Sequence, residues 1–220
     1  MDSKQRVDVF INVHKGLRRG LLGLALKIGQ VDWNNAADVK PLEDEFAIML
    51  HFLREHSTNE DEIQFDLLEK KAPGAATMGR EDHRLLEEEL NQLVKTWEKV
   101  GPSPDQEKAG YVFYLAFNRF LSRYLAHMDQ EETEMTGAFY QHFTDEEIVT
   151  GFQKIIARTT PNDMAMMLGY MIPAMNGTER FTFLSNLKLT APPEIFGKVK
   201  GLAQKVLAPH DWEMLSARLG

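Results

Sequence analysis

Apolar positions recur every three or four residues along most of the chain, the spacing of amphipathic helices, and no segment alternates apolar and polar residues for long. The pattern predicts a first helix from about Lys4 to Gly29, with Val7, Phe10, Leu17, Leu21, Leu24 and Ile28 on its stripe. A polar connector, Gln30 to Lys40, follows, and Pro41 stands where a helix start tolerates proline. The second helix then runs to about Lys71, with Phe46, Met49, Leu50, Leu53, Ile63 and Leu67 inward, until Ala72-Pro-Gly-Ala-Ala-Thr77 breaks it. A third covers Arg80 to Val100, with Leu86, Leu90, Leu93 and Trp97 inward, and Gly101-Pro-Ser-Pro104 stops it. The fourth, Asp105 to His142, carries Phe113, Phe117, Phe120, Tyr124, Met135 and Ala138. Four long helices with short connectors predict an all-α, up-down-up-down four-helix bundle over residues 1–143.

From Thr144 the elements shorten to roughly Asp145–Arg158, Pro161–Met175, Gly177–Leu187, Pro193–Leu207 and Pro209–Leu219. Pro161, Pro173, Pro192, Pro193 and Pro209 punctuate them. Residues 144–220 therefore read as a C-terminal helical extension packed on the bundle. Its methionines, Met164, Met166, Met167, Met171 and Met175, suit either a core or an adaptable surface for a protein partner or a second copy of the chain.

Composition narrows the chemistry. The 220 residues hold 25 leucines against 20 valines plus isoleucines, which again favours helices. With no cysteine, a disulfide scaffold, a thiolate metal site and a thiol nucleophile are all excluded. A net charge of −8 argues against nucleic-acid binding, which requires Lys and Arg to neutralise phosphates. The first twenty residues lack a signal-peptide core, and the nearly apolar run Met164 to Met175 is too short to span a bilayer. The expectation is a cytoplasmic protein without a membrane or nucleic-acid partner.

The histidines carry the chemistry. Five of the seven have a glutamate four residues later, one helical turn along the same face. Laid on the apolar stripes, His14 falls between Phe10 and Leu17, and His56 with Glu60 fills the gaps between Leu53 and Ile63. His83 precedes Leu86 on the third helix, and His127 with Glu131 sits between Tyr124 and Met135 on the fourth. Each helix thus points one histidine into the bundle, and two add a carboxylate. Four imidazoles and two carboxylates in an apolar interior are costly unless a metal satisfies them. Those donors suit iron, zinc or manganese, and a glutamate from each of two helices can bridge a pair of ions. His51 lies about 140° around the helix from inward-facing His56. His142 stands at a helix C-terminus and His210 in a loop, so these three stay outside the set. Glu87, one turn after His83, reads as a surface charge or as a partner orienting an imidazole.

The ordered set His14, His56-x-x-x-Glu60, His83 and His127-x-x-x-Glu131-Glu132 resembles the hemerythrin-like (HHE cation-binding) family over roughly residues 1–143. The resemblance implies a bundle around a non-haem di-iron site, with His14, His56, His83 and His127 as terminal ligands and Glu60 and Glu131 as bridges. The oxygen-carrier branch has a second histidine where this chain has Glu87, and places its last acid where this chain has Glu132. Ferritin-like ligation needs a glutamate three residues before a histidine, and no histidine here has one.

The functional expectation is a di-iron protein that binds or responds to O2, NO, peroxide or iron and redox status, with a small diatomic molecule as its partner. The alternatives are an oxidative di-iron enzyme acting on the same molecules, and a zinc-bound or metal-free helical interaction module working through its tail.

Overall fold

The computed structural model describes residues 6–8, 10–101 and 103–220, and the ordered elements among them are helices. In chain order these are α1 (Ile11–Gln30), α2 (Ala36–Asn59), α3 (Asp66–Lys71), α4 (Thr77–Trp97), α5 (Gln106–Gln130) and α6 (Thr136–His142). A π-helical turn, Glu60–Phe65, joins α2 to α3 in one rod, and a second, Glu131–Met135, joins α5 to α6. The rods α1, α2–α3, α4 and α5–α6 make an up-down-up-down bundle. Beyond it lie α7 (Asp145–Arg158), α8 (Pro161–Ala174), α9 (Gly177–Thr190), α10 (Pro193–Val206) and α11 (Pro209–Leu219). No helix among the described residues is long and apolar enough to cross a membrane.

Contacts divide the chain into two compact units. The first holds Gly20–Ala157 and the described residues up to Phe10; the second holds Ile11–Arg19 and Arg158–Gly220. In the first unit, the connector ends of the rods pack Trp33, Phe46, Trp97 and Phe113 together, mostly edge against face, with ring centroids 5.0–6.1 Å apart. Gly110 makes this possible. A Cβ there would lie 2.2 Å from Trp33 Cδ2, so only glycine lets the indole rest on α5. The second unit closes around Leu168, Ile172, Leu184, Ala203, Leu207 and Leu215. Met175 is buried, and Met164 and Met171 pack against that core.

Three departures from the apolar pattern have local causes. The expected start at Lys4 lies outside the described residues, and the first helix begins at Ile11. Ahead of it, Arg6 donates Nε to Asp145 Oδ1 at 2.8 Å and its terminal nitrogens to the Tyr140 and Phe143 carbonyls at 2.7 Å. Those bonds tie the segment to the end of α6, so Val7 packs beside Phe10 without being helical. The second helix begins at Ala36, because the Asn35 side chain accepts from Ala37 N–H and caps it; Pro41 falls in the second turn.

The third departure is a phase slip. A π-helical turn fits an extra residue into its circuit. Past Glu60 the buried side chains are therefore Gln64, Phe65 and Leu68, while Ile63 and Leu67 are only half-buried. Past Glu131 they are Met135, Thr136 and Phe139, and Ala138 is half-buried.

Candidate metal centre

Each rod contributes one buried histidine: His14 from α1, His56 from α2, His83 from α4 and His127 from α5. Glu60 and Glu131, each 1% exposed, open the two π-helical turns one turn after His56 and His127. The backbone repeats itself at the two places. The Glu60 N–H reaches the His56 and Ser57 carbonyls, and the Glu131 N–H reaches those of His127 and Met128. The Thr136 hydroxyl donates to the Glu131 carbonyl at 3.1 Å, satisfying an acceptor at the π-helical turn.

The side-chain tips converge. His56 Nε2 lies 3.2 Å from Glu60 Oε2. His83 Nε2 is 3.4 Å from Glu60 Oε2, 3.5 Å from Glu131 Oε1 and 3.1 Å from His127 Nε2. His127 Nε2 is 3.3 Å from Glu131 Oε2. Donors held at about 2.0–2.1 Å from one ion stand about 2.8–3.4 Å apart at octahedral to tetrahedral angles. The observed spacings are close to those of such a shell.

Two overlapping donor groups result: Glu60, His83, His127 and Glu131, and His14, His56, Glu60 and Glu131. Within each, one donor atom from every residue lies within 4.8 Å of the others. Both glutamates belong to both groups, which is the arrangement of carboxylates able to bridge two ions. The donors fit hard or borderline divalent cations such as iron, zinc and manganese.

A further shell holds the imidazoles in place. His83 Nδ1 is 3.0 Å from Asp61 Oδ1, and the Phe65 ring stacks on the His83 ring at 5.1 Å and 16°. Phe65 has room because Gly79 faces it; a Cβ there would come within 2.9 Å of Phe65 Cζ. Asp82 Oδ2 stands 4.0 Å from His127 Nδ1. Such outer partners fix the ring orientation and raise the basicity of a ligating histidine. Without a cation, burial disfavours charge on His83, but hydrogen bonds with Asp61, Glu131 and Glu60 outweigh it and push its pKa up to about 12. Tyr124, 4% exposed, packs its ring 5.7 Å from that of His127. Burial, reinforced by the negative charges of Glu60 and Glu131, drives its phenol well above the usual range. A cavity of about 220 Å³ lined by Met78, Gly79, Gln130, Glu134 and Met135 also has His127 and Glu131 in its wall.

The other candidates lie elsewhere. His51 and His210 are exposed, and His142 is half-buried at the end of α6. Glu87 accepts from Arg54 Nε at 3.2 Å and from Asn91 Nδ2 at 3.1 Å on the α4 surface. Glu132 is half-buried, whereas the Glu131 carboxylate faces His83 and His127. The residues sequence reasoning missed are Asp61, Asp82 and Phe65; their only sequence signal is adjacency to a ligand or to a π-helical turn.

Fold and donor set together define a metal-binding four-helix bundle. The profile of the hemerythrin HHE cation binding domain matches residues 5–139, more than half of the chain, and the protein belongs to that family. Neither the curated proteins nor the solved structures compared with it give a significant match.

Proposed function

We propose that this protein holds a non-haem di-iron centre and binds or responds to O2, NO, peroxide or cellular iron and redox status. The observation that carries this reading is the sharing of Glu60 and Glu131 between two buried groups of donors. A single ion would use one group and leave two further imidazoles buried without a cation, at a cost the fold has no reason to accept. Four histidines divide two to each ion, and the two carboxylates offset much of the charge of a divalent pair.

When bound, the iron pair supplies redox-active Lewis-acid positions for a small ligand. The protein's part is to fix the donors on four rods, orient His83 through Asp61 and Phe65, and keep bulk water away through the surrounding apolar core. Glu87 faces Arg54 and Asn91, so it adds no donor to the set of six. The six donors include one imidazole fewer than the oxygen-carrying branch, and so oxygen-rich a donor set would favour the oxidised state of a bound pair. This supports redox response over oxygen storage.

The test uses protein purified without added metal. Two irons per chain are expected; stoichiometric zinc or no metal would contradict the proposal and favour an interaction module. The iron form is then reduced anaerobically, exposed to a pulse of air, and followed optically as oxygen pressure falls. The oxidised spectrum is expected to persist, and full return to the reduced spectrum would restore oxygen storage.

A further inference from the structure

Tyr124 stands out among the buried groups around the centre. Its side chain lies in the interior of the bundle, yet its hydroxyl has no hydrogen-bond partner among the described residues. A buried hydroxyl without a partner is disfavoured, and such groups are rare unless they serve a ligand or water. Phenylalanine would fill the same space without that penalty. The cost is repeated nowhere else on this stripe, where Phe113, Phe117 and Phe120 precede Tyr124 at helical spacing.

The surroundings show what the hydroxyl can serve. Tyr124 and His83 share the wall of a cavity of about 20 Å³ whose other lining includes Leu53, Leu86, Leu90 and Phe120. That volume accommodates one water-sized molecule, since a water needs about 10–15 Å³ measured in this way. The lining is apolar apart from the phenol, the imidazole of a candidate ligand, and Ser57 and Glu87. Ser57 donates to the Arg54 carbonyl and Glu87 accepts from Arg54 and Asn91, so both are engaged on the helix surfaces.

We propose that the Tyr124 hydroxyl donates a hydrogen bond to a water-sized acceptor bound at the metal pair on its His83 side, and so positions the exogenous ligand. The proposal rests on the di-iron reading above. It makes Tyr124 a ligand-binding residue rather than a seventh metal ligand, and it assigns the hydroxyl a role that a phenylalanine cannot perform.

The experiment compares wild type with Tyr124→Phe. Iron content is measured first on both proteins. Fluoride, a water-sized hydrogen-bond acceptor, is then titrated into the oxidised iron-loaded proteins and followed through their optical bands. Thermal unfolding of both metal-free proteins is recorded alongside. The expected result is equal iron content, fluoride binding weakened about tenfold in Tyr124→Phe, and metal-free stability unchanged or raised. Equal fluoride affinity in the two proteins would overturn the proposal. So would loss of iron from the variant, because the phenol would then be a metal ligand. A wild type that holds no iron pair would instead refute the di-iron reading itself, and the proposal with it.

Discussion

The two halves of the bundle solve opposite problems with the same four rods. At the connector end, Trp33, Phe46, Trp97 and Phe113 complete one another, and Gly110 gives way to the indole. Nothing foreign is needed there. Further along, His56, Glu60, His83, His127 and Glu131 gather charge and hydrogen-bonding capacity that the chain alone satisfies poorly. The helices differ accordingly. They are regular through the aromatic half, and α2 and α5 open into π-helical turns at the two glutamates. One half stores stability, and the other gives some up for a cation site.

The largest effect belongs to the aromatic half. Gly110→Ala drives a methyl into the Trp33 ring and is expected to cost about 3 kcal/mol or more, as overpacking of a rigid core does. Thermal unfolding should show the loss equally with and without metal. A variant destabilised only in the presence of metal would break the separation between the halves.

Changes among the donors should act the other way, on metal more than on fold. His56→Ala and His127→Ala are expected to lose most bound metal, while His51→Ala, altering an exposed side chain, retains it. Equal metal loss in all three would contradict the donor assignment. Glu131→Gln should likewise disturb the metal spectrum more than Glu132→Gln, since the Glu131 carboxylate lies within 3.5 Å of His83 and His127.

The outer shell gives a smaller, pH-dependent effect. His83 has a folded pKa raised to about 12, above its ordinary 6.5, by Asp61 and the two glutamates against burial. Its stabilisation of the metal-free protein is therefore complete below pH 6.5 and is lost as pH rises toward 12. Metal uptake must displace that proton, so affinity should rise with pH and loading should release acid. Asp61→Asn should weaken metal binding about 10- to 100-fold while leaving all six donors in place. Calorimetry in buffers of different ionisation enthalpy would measure both the affinity and the released protons. Unchanged affinity in Asp61→Asn would show that the Asp61 contact contributes nothing to the centre.

Much of this was legible in the sequence because a helix has one period. Placing His14, His56, His83 and His127 on apolar stripes required only the 3.6-residue repeat, and the glutamates one turn later followed from it. The period fails where the backbone departs from it. Ile63, Leu67 and Ala138 fit a straight α-helix, but the π-helical turns bring Phe65, Leu68 and Phe139 inward instead. Phe65 and Asp61, both placed by the first of those turns, are therefore the residues around His83 that periodicity could not reveal. The start of α1 was hidden for another reason: Arg6 ahead of it is clamped to Asp145, Tyr140 and Phe143, long-range contacts for which local pattern carries no signal.

If one buried centre accepts two ions through shared carboxylates, its stoichiometry must show it. Metal-free protein is titrated anaerobically with ferrous iron while bound metal and optical change are followed together. A break is expected at two irons per chain in wild type and in His51→Ala, with a lower occupancy in Glu60→Ala, which removes a carboxylate common to both donor groups. A break at one iron per chain in wild type, or a Glu60→Ala variant that still holds two, would contradict it.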